Sequence, residues 1–412
     1  MASAFGSADD DVPLLRENSD DDVENISDKD KDYQGRFKLT LISNVNKHGS
    51  LLSDNSPTIN YPADSLFAIF IVGFDVGHGN IIEWQMPEIF PLKDVEFKAL
   101  PSGSHNLIQD CVYFRHKSLY GLSCIENIRD STETNERGMR IKSVGILSNS
   151  YIGNQYHLNF LQTQVSHHVH HPGNYEALLE FFHDKQSSIN GLQEPDLTSL
   201  YFTQPEGDFV SFVEEFGPKI FPLWRIILLN KRILFYSSKE LSTLCYKVYF
   251  SCLLSYCLFD FCLNDQKMKT LFYVNVKDTE ILKNEHQYIA CTTEKVLQNK
   301  INLFDVFIDV DSNNLFYIHN NNLTNIVKVT SSDQEKYKDL FAERLRYFID
   351  FSSKLFGMLS NLSKSYSKQV TRKDIHSIGL RAKDDKLFLL EVIETYGFNL
   401  VIVVNNPCCP FI

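Results

Sequence analysis

The sequence predicts a mixed α+β and α/β protein in three parts: an antiparallel sheet with helices, an α/β unit, and a mainly helical end. Three observations predict it. Between residues 66 and 148, apolar runs alternate with turn residues at hairpin spacing. Between 232 and 310, short runs apolar on both faces alternate with helical patterns, which suits a sheet covered on both sides. After residue 331, apolar side chains recur at three-, four- and seven-residue steps. The 412 residues exceed the ~100–200 usual for one domain. A hydrophobic content of 43% with 22% charged residues supports sizeable cores.

Residues 1–60 read as a disordered acidic arm. Its first 36 residues hold eleven Asp/Glu against four Lys/Arg, and only Phe37–Ile42 alternates like a strand. Residues 61–185 form the α+β part. Leu66–Phe74 is a strongly apolar strand, Asp75–Gly79 a glycine turn, and Asn80–Met86 the returning strand of a hairpin. Further strands are expected at Cys111–Arg115, Leu119–Ile125 and Arg140–Leu147. Helical spacing covers Tyr151–His168, and Asn174 caps a second helix over Tyr175–His183. Residues 186–207, with Gly191, Pro195 and Pro205, read as a linker.

The α/β unit spans 208–330. Phe209–Leu229 looks helical, with interruptions near Pro218 and Pro222, and Arg232–Tyr236 is a short strand. Ser237–Glu240 has the form of a capping box and opens an apolar helix, Leu241–Leu263. Strands Leu271–Val276, Tyr288–Cys291 and Phe304–Val310 continue the alternation. In the helical end, 331–412, Ser332–Glu335 is a second capping box, followed by a helix through Leu362. Thr371–Asp374 opens a short helix stopped by Gly379, and Asp384–Tyr396 is a helix stopped by Gly397. Asn399–Val404 is a last strand.

Charge and motifs exclude several function classes. A net charge of −12 argues against binding a nucleic-acid backbone. Nine cysteines, without a CxxC pair or a secretory leader, point to reduced thiols, a cytoplasmic setting and no zinc. Leu241–Leu263 is long enough to cross a bilayer, but Lys247 and Asp260 fit a buried helix better. No P-loop, GxGxxG, GxSxG, HExxH or EF-hand pattern occurs, so neither a cofactor nor covalent catalysis is implied. His167, His168, His170 and His171 read as an exposed, fraying helix end and not as metal ligands, and Cys408-Cys409 as small packing residues. Asp10, Leu14 and Leu15 form an acidic dileucine-like hexamer of the kind clathrin adaptors read.

The order of motifs resembles the DENN domain family. Gly79–Trp84, Tyr113-Phe114-Arg115, Tyr120-Gly121-Leu122 and Val144–Ser148 resemble the longin-like upstream lobe. Phe221–Tyr236, with the apolar helix after it, resembles the core lobe, and Phe307–Asp311 its hydrophobic-Asp-hydrophobic-Asp strand. Within the family the likeness is to the LCHN type. It rests on Val95–Lys98, Ser102–His105, Met139–Ser148, Phe272–Val276, Ala290–Lys295 and Asn406–Pro410.

The resemblance implies a longin-like sheet, a Rossmann-like core lobe and a helical downstream region. It also implies guanine-nucleotide exchange on a Rab-class GTPase, with transient association to intracellular membranes. The alternative is a trafficking scaffold that binds a Rab or an adaptor without exchange. In either case Glu83 and Trp84 on the first hairpin, and Lys231 and Arg232 in the core-lobe turn, are the expected partner-binding residues. A third reading uses Arg137 or Arg140 as an arginine finger for GTP hydrolysis.

Overall fold

A computed structural model describes residues 66–129, 139–187, 209–256, 268–319, 322–325, 329–338, 340 and 344–403. The acidic arm with Asp10, Leu14 and Leu15, the strand-like Phe37–Ile42, Arg137, most of the 186–207 linker and Cys408-Cys409 lie outside the described residues.

The antiparallel part consists of β1 (Leu66–Asp75), β2 (Gly79–Met86), β3 (Gln109–His116), β4 (Leu119–Arg129) and β5 (Met139–Ser148), ordered β3-β4-β5-β1-β2. The parallel part consists of β6 (Ile233–Tyr236), β7 (Lys269–Tyr273), β8 (Tyr288–Thr292) and β9 (Val306–Asp309), ordered β9-β6-β8-β7. Beyond β9 lies an antiparallel hairpin, β10 (Asn314–His319) and β11 (Asn322–Asn325). Sequence reading misses it because turn-favouring asparagines sit at 314, 322 and 325. Two strand sets expected as separate lobes are joined: β3 pairs in parallel with β7 at Phe114 and Tyr273, making one mixed sheet.

Helices cover both faces. Against the antiparallel part, α1 (Glu96–Ala99) lies on one face, where Ser143 Oγ donates to the Ala99 carbonyl at 2.8 Å. On the other face lies α2 (Leu158–His170), followed by α3 (Glu176–Ser187), which Asn174 caps at the amide of Glu176. Close packing on the first of these faces requires glycine at two positions. Phe114 lies opposite Gly121 and Phe70 opposite Gly145, and a Cβ on either glycine would meet the ring at 2.3 and 2.5 Å.

The expected Phe209–Leu229 helix is two helices, α4 (Phe209–Phe216) and α5 (Ile220–Leu228). The break falls at Gly217-Pro218-Lys219, while Pro222 is tolerated in the first turn of α5. The apolar helix, α6 (Leu241–Tyr256), packs across β3, β7 and β8 and so covers the joint between the two strand sets. Lys247 on it is fully buried, paired with Glu215, as a core helix requires. No helix among the described residues is long and apolar enough to cross a membrane.

The expected Ser237–Glu240 box does not cap α6. Asp110, from β3, accepts the amides of Leu241 and Ser242 at 2.9 and 3.0 Å, while Ser237 and Ser238 bond to Asp311. A cap delivered by a strand far away in the chain leaves no local sequence signal.

After α7 (Thr279–Asn284) come α8 (Ser331–Lys338), α9 (Arg344–Lys364), α10 (Arg372–Ser377) and α11 (Lys386–Thr395). The cap of α8 is a Thr330–Asp333 box, two residues before the expected one, whereas Thr371–Asp374 caps α10 as expected. Trp224 of α5 packs among Phe348, Phe351 and Phe388 and donates to Ser352 Oγ. Beside it, Arg225 bridges the buried carboxylates of Asp333 and Asp385 at 2.6 and 3.1 Å. A two-stranded parallel ladder, β12 (Gln369–Thr371) with β13 (Val401–Val403), closes this end.

Candidate functional site

The four residues expected to meet a partner lie at two distant places. β2 is the last strand of the sheet, and the turn before β6 is seven strand positions away, which is roughly 30 Å at the usual interstrand spacing. They therefore form no single patch, and each has an internal partner. Glu83 pairs with Lys142 by crossing β1 over Gly73, where a Cβ would strike the Glu83 carboxylate. Trp84 stacks on Tyr175 at 5.0 Å. Arg232 holds Asp305 through Nε, Nη2 and its own amide, and donates to the Asn302 carbonyl. Lys231 reaches Glu391 at 3.7 Å, with both side chains partly exposed.

Tyr175 is sandwiched between Trp84 and His168, whose ring lies 5.6 Å away. His168 alone departs from the expected exposed histidine end: α2 continues to His170, and His167, His170 and His171 are exposed while His168 is 1% exposed. Burial, followed by the nearby His167 and Lys142, lowers its pKa to about 4. Arg140 is likewise buried and donates to the Val169 carbonyl, so it is not presented to a bound nucleotide.

A concave surface lies instead at the joint of the sheet. There α1 and the loop after it, from the antiparallel part, face the segment Asn275–Asp278 that follows β7. An Asn275–Asp278 capping box shapes that segment. Lys98 Nζ pairs with Asp278 at 2.8 Å and donates to the Arg115 carbonyl at 2.9 Å. Lys277 Nζ lies 3.3 Å from the centre of the Phe97 ring and 3.9 Å from Asp94. A cation stacked on one part and a buried ion pair to the other fasten the joint.

Two grooves flank this fastening. The first, of about 550 Å³, is lined by Phe74, Asn80, Phe97, the 100–105 loop, Tyr273, Lys277 and Glu294, among others. Its rim is built by specific bonds. Asn80 Nδ2 donates to the carbonyls of Glu96 and Leu100, and Gly103 turns the loop with a φ of 96°. Glu294 accepts the Val276 amide at 2.8 Å, and burial raises its pKa. Burial also raises the pKa of the Tyr273 phenol. Phe74 is 42% exposed and borders the groove.

Five of the six segments that carry the likeness to the LCHN type converge here. Val95–Lys98, Ser102–His105, Met139–Ser148, Phe272–Val276 and Ala290–Lys295 all contribute lining residues to the first groove. None of Asn80, Phe97, Tyr273, Lys277 or Glu294 stands out chemically in the sequence. The available signal was that these segments match a family pattern without any periodicity that demands them. The second groove, of about 540 Å³, adjoins the first across Phe97, Asn275 and Lys277.

Comparison with known proteins gives a consistent result. The family model described as DENN domain-containing protein 11 matches residues 69–320. A relative named DENN domain-containing protein 11 in Xenopus laevis is 36% identical over 388 residues, covering 84% of this chain and 87% of that protein. Relatives of the same name in Mus musculus and Danio rerio are each 34% identical. They cover 84% and 88% of this chain, and 84% and 81% of their own lengths.

Proposed function

The chain belongs to the DENN domain-containing protein 11 family, and from that premise we propose that it is a guanine-nucleotide exchange factor for a Rab-class GTPase. In this reading 61–185 and 208–330 are the upstream and core parts of the module, joined through 186–207, and 331–412 is the downstream part. The observation that carries it is the convergence of the family-like segments on the groove at the sheet joint.

Exchange needs no acid, base or metal. The protein binds the nucleotide-free GTPase more tightly than the loaded one, and linkage weakens nucleotide binding by the same factor. A thousandfold faster release requires only ~4 kcal/mol of such preference. A preformed surface supplies it with little ordering cost. Here the groove is held open by Lys98–Asp278, Lys277 on Phe97, and the Asn80 bonds to α1. Exposed Phe74 and the apolar wall of Leu100 and Pro101 suit an apolar anchor side chain of the GTPase. Glu83, Trp84 and Arg232 act here as supports for the elements they pin, and partly exposed Lys231 as a peripheral contact.

The test is release of labelled GDP from a panel of Rab GTPases. The expected outcome is acceleration for at least one member, weakened by Phe74→Ala with the thermal transition unchanged. Inactivity across the panel overturns the proposal. Binding to a Rab without faster release favours the scaffold alternative, in which adaptor capture depends on Asp10, Leu14 and Leu15.

A further inference from the structure

Two cysteines of the antiparallel part face each other across neighbouring strands. Cys111 of β3 lies opposite Cys124 of β4, and their Sγ atoms are 3.3 Å apart. Their position in the ladder suits a bond between them. The register continues to Ile108 and Asn127, where the Asn127 amide donates to the Ile108 carbonyl at 2.8 Å. Hydrogen-bonded pairs alternate along an antiparallel ladder, so three steps on, Cys111 and Cys124 form a non-hydrogen-bonded pair. Side chains at such pairs stand closest, with Cα atoms about 4.5 Å apart, within the span of a disulfide.

The surroundings of the two thiols are unequal. Cys111 is 6% exposed and borders a crevice of about 10 Å³ beside Tyr246 and Tyr249 of α6, whereas Cys124 is 1% exposed. A crevice of that size admits a molecule close to water in size and shuts out a bulky one. Gln162 of α2 donates to Cys111 Sγ at 3.7 Å, a bond that strengthens as negative charge builds on the sulfur. A second pair provides a contrast. Cys245 of α6 also borders the crevice, but its sulfur is engaged with the Tyr113 backbone and lies 3.9 Å from Cys291 of β8. Burial pushes the Cys291 thiol well up, which keeps it protonated and inert.

We propose that Cys111 and Cys124 are an oxidisable dithiol, closed to a disulfide by a small hydroperoxide and reopened by a reducing dithiol. Cys111, having given its proton to solvent, attacks one peroxide oxygen. The O–O bond breaks, hydroxide leaves and regains a proton from solvent, and Cys111 carries a sulfenic acid. The Cys124 sulfur then attacks the Cys111 sulfur, the S–O bond breaks, and the departing hydroxide takes the Cys124 proton to leave as water. Two thiols lose two electrons in all, and hydrogen peroxide becomes two waters. With its partner already in contact, the sulfenic acid is captured before Cys111 oxidises further. The bond ties β4 to the strand that caps α6 through Asp110 and meets β7 at Phe114, so it stiffens the joint of the sheet. In a reducing compartment such a bond is transient. No GTPase is involved, so this proposal stands or falls apart from exchange.

The experiment uses the full chain, folded and fully reduced. Hydrogen peroxide and glutathione disulfide are applied separately, remaining thiols are blocked with N-ethylmaleimide, and peptides are mapped by mass spectrometry. The expected result with peroxide is a Cys111–Cys124 crosslink and a higher melting temperature, both reversed by dithiothreitol. Glutathione disulfide, too large for the crevice, leaves the pair untouched. In Cys124→Ser, dimedone labels Cys111 as the sulfenic acid roughly tenfold more than in the parent, and the melting temperature no longer responds to peroxide. Cys245→Ala keeps the crosslink. The mapping itself needs no variant, so the test holds even if a substitution fails to fold. Absence of the crosslink in peroxide-treated folded protein overturns the proposal. So does a crosslink that forms only in urea, equal yield of a Cys245–Cys291 bond, or closure as fast with glutathione disulfide.

Discussion

The two parts of the sheet bury polar groups in different ways. In the parallel part β6 and β8 are buried at every residue, and all but one of these nine residues are apolar or aromatic. The antiparallel part has longer strands and buries Ser123 with Ser143, Glu126 with Ser166, Arg140 with the Val169 carbonyl and Lys142 with Glu83. The parallel part therefore depends on non-directional burial, and the antiparallel part on specific pairing. The joint between them uses both. Helix α6 covers it with apolar side chains, while Asp110 and the Lys98–Asp278 pair fix its register. A partner that straddles the joint meets a surface whose shape is set by a few directional contacts.

Breaking those contacts has the largest effect. Lys98→Met leaves Asp278 buried without its cation and costs about 3–4 kcal/mol in urea unfolding. On the proposed exchange function it also reduces GDP release, because α1 loses its hold on the opposite wall. Asp110→Ala removes the cap of α6 and costs about 3 kcal/mol, and Asp110→Asn costs less because one acceptor survives. An unchanged denaturation midpoint for either alanine or methionine variant would show that apolar cover alone holds the joint.

Glycine substitutions sharpen the contrast. Gly145→Ala drives a methyl group into the Phe70 ring and destabilises by about 2 kcal/mol. In helix α9, Gly357 has open space around its Cβ position, and Gly357→Ala stabilises by about 0.5–1 kcal/mol. Thermal melts of the two variants should move in opposite directions.

The smallest effect at neutral pH grows on acidification and belongs to the antiparallel part. Burial lowers the pKa values of His157 and His168 to about 4. The unfolded chain takes up these protons near pH 6.5, before the folded state does, so stability falls as the pH drops from about 6.5 to about 4 and levels off below. His168→Phe removes one titrating ring that makes no hydrogen bond. It should flatten that decline in stability measured against pH.

Much of the architecture was readable in advance for identifiable reasons. The β1–β2 hairpin announces itself through an apolar run, a glycine turn and an alternating return. The cap of α10 is a local Thr-x-x-Asp pattern, and the buried character of α6 follows from its composition. The cap of α6 was misassigned because Asp110 lies more than a hundred residues from Leu241. His168 was placed outside because a run of histidines looks polar, whereas each ring takes the environment of its own helix face.

The candidate site was less readable still. Glu83, Trp84, Lys231 and Arg232 are conspicuous residue types, and the structure gives each of them an internal partner. The groove residues are ordinary ones brought together from five segments. Sequence alone settled most of the strands and helices, though not the β10–β11 hairpin or the break between α4 and α5, since periodicity, turn chemistry and local caps act over a few residues. Only the tertiary structure decided that β3 meets β7 and which strand caps α6. Those outcomes depend on groups distant in the chain meeting in space, and no local pattern encodes such a meeting.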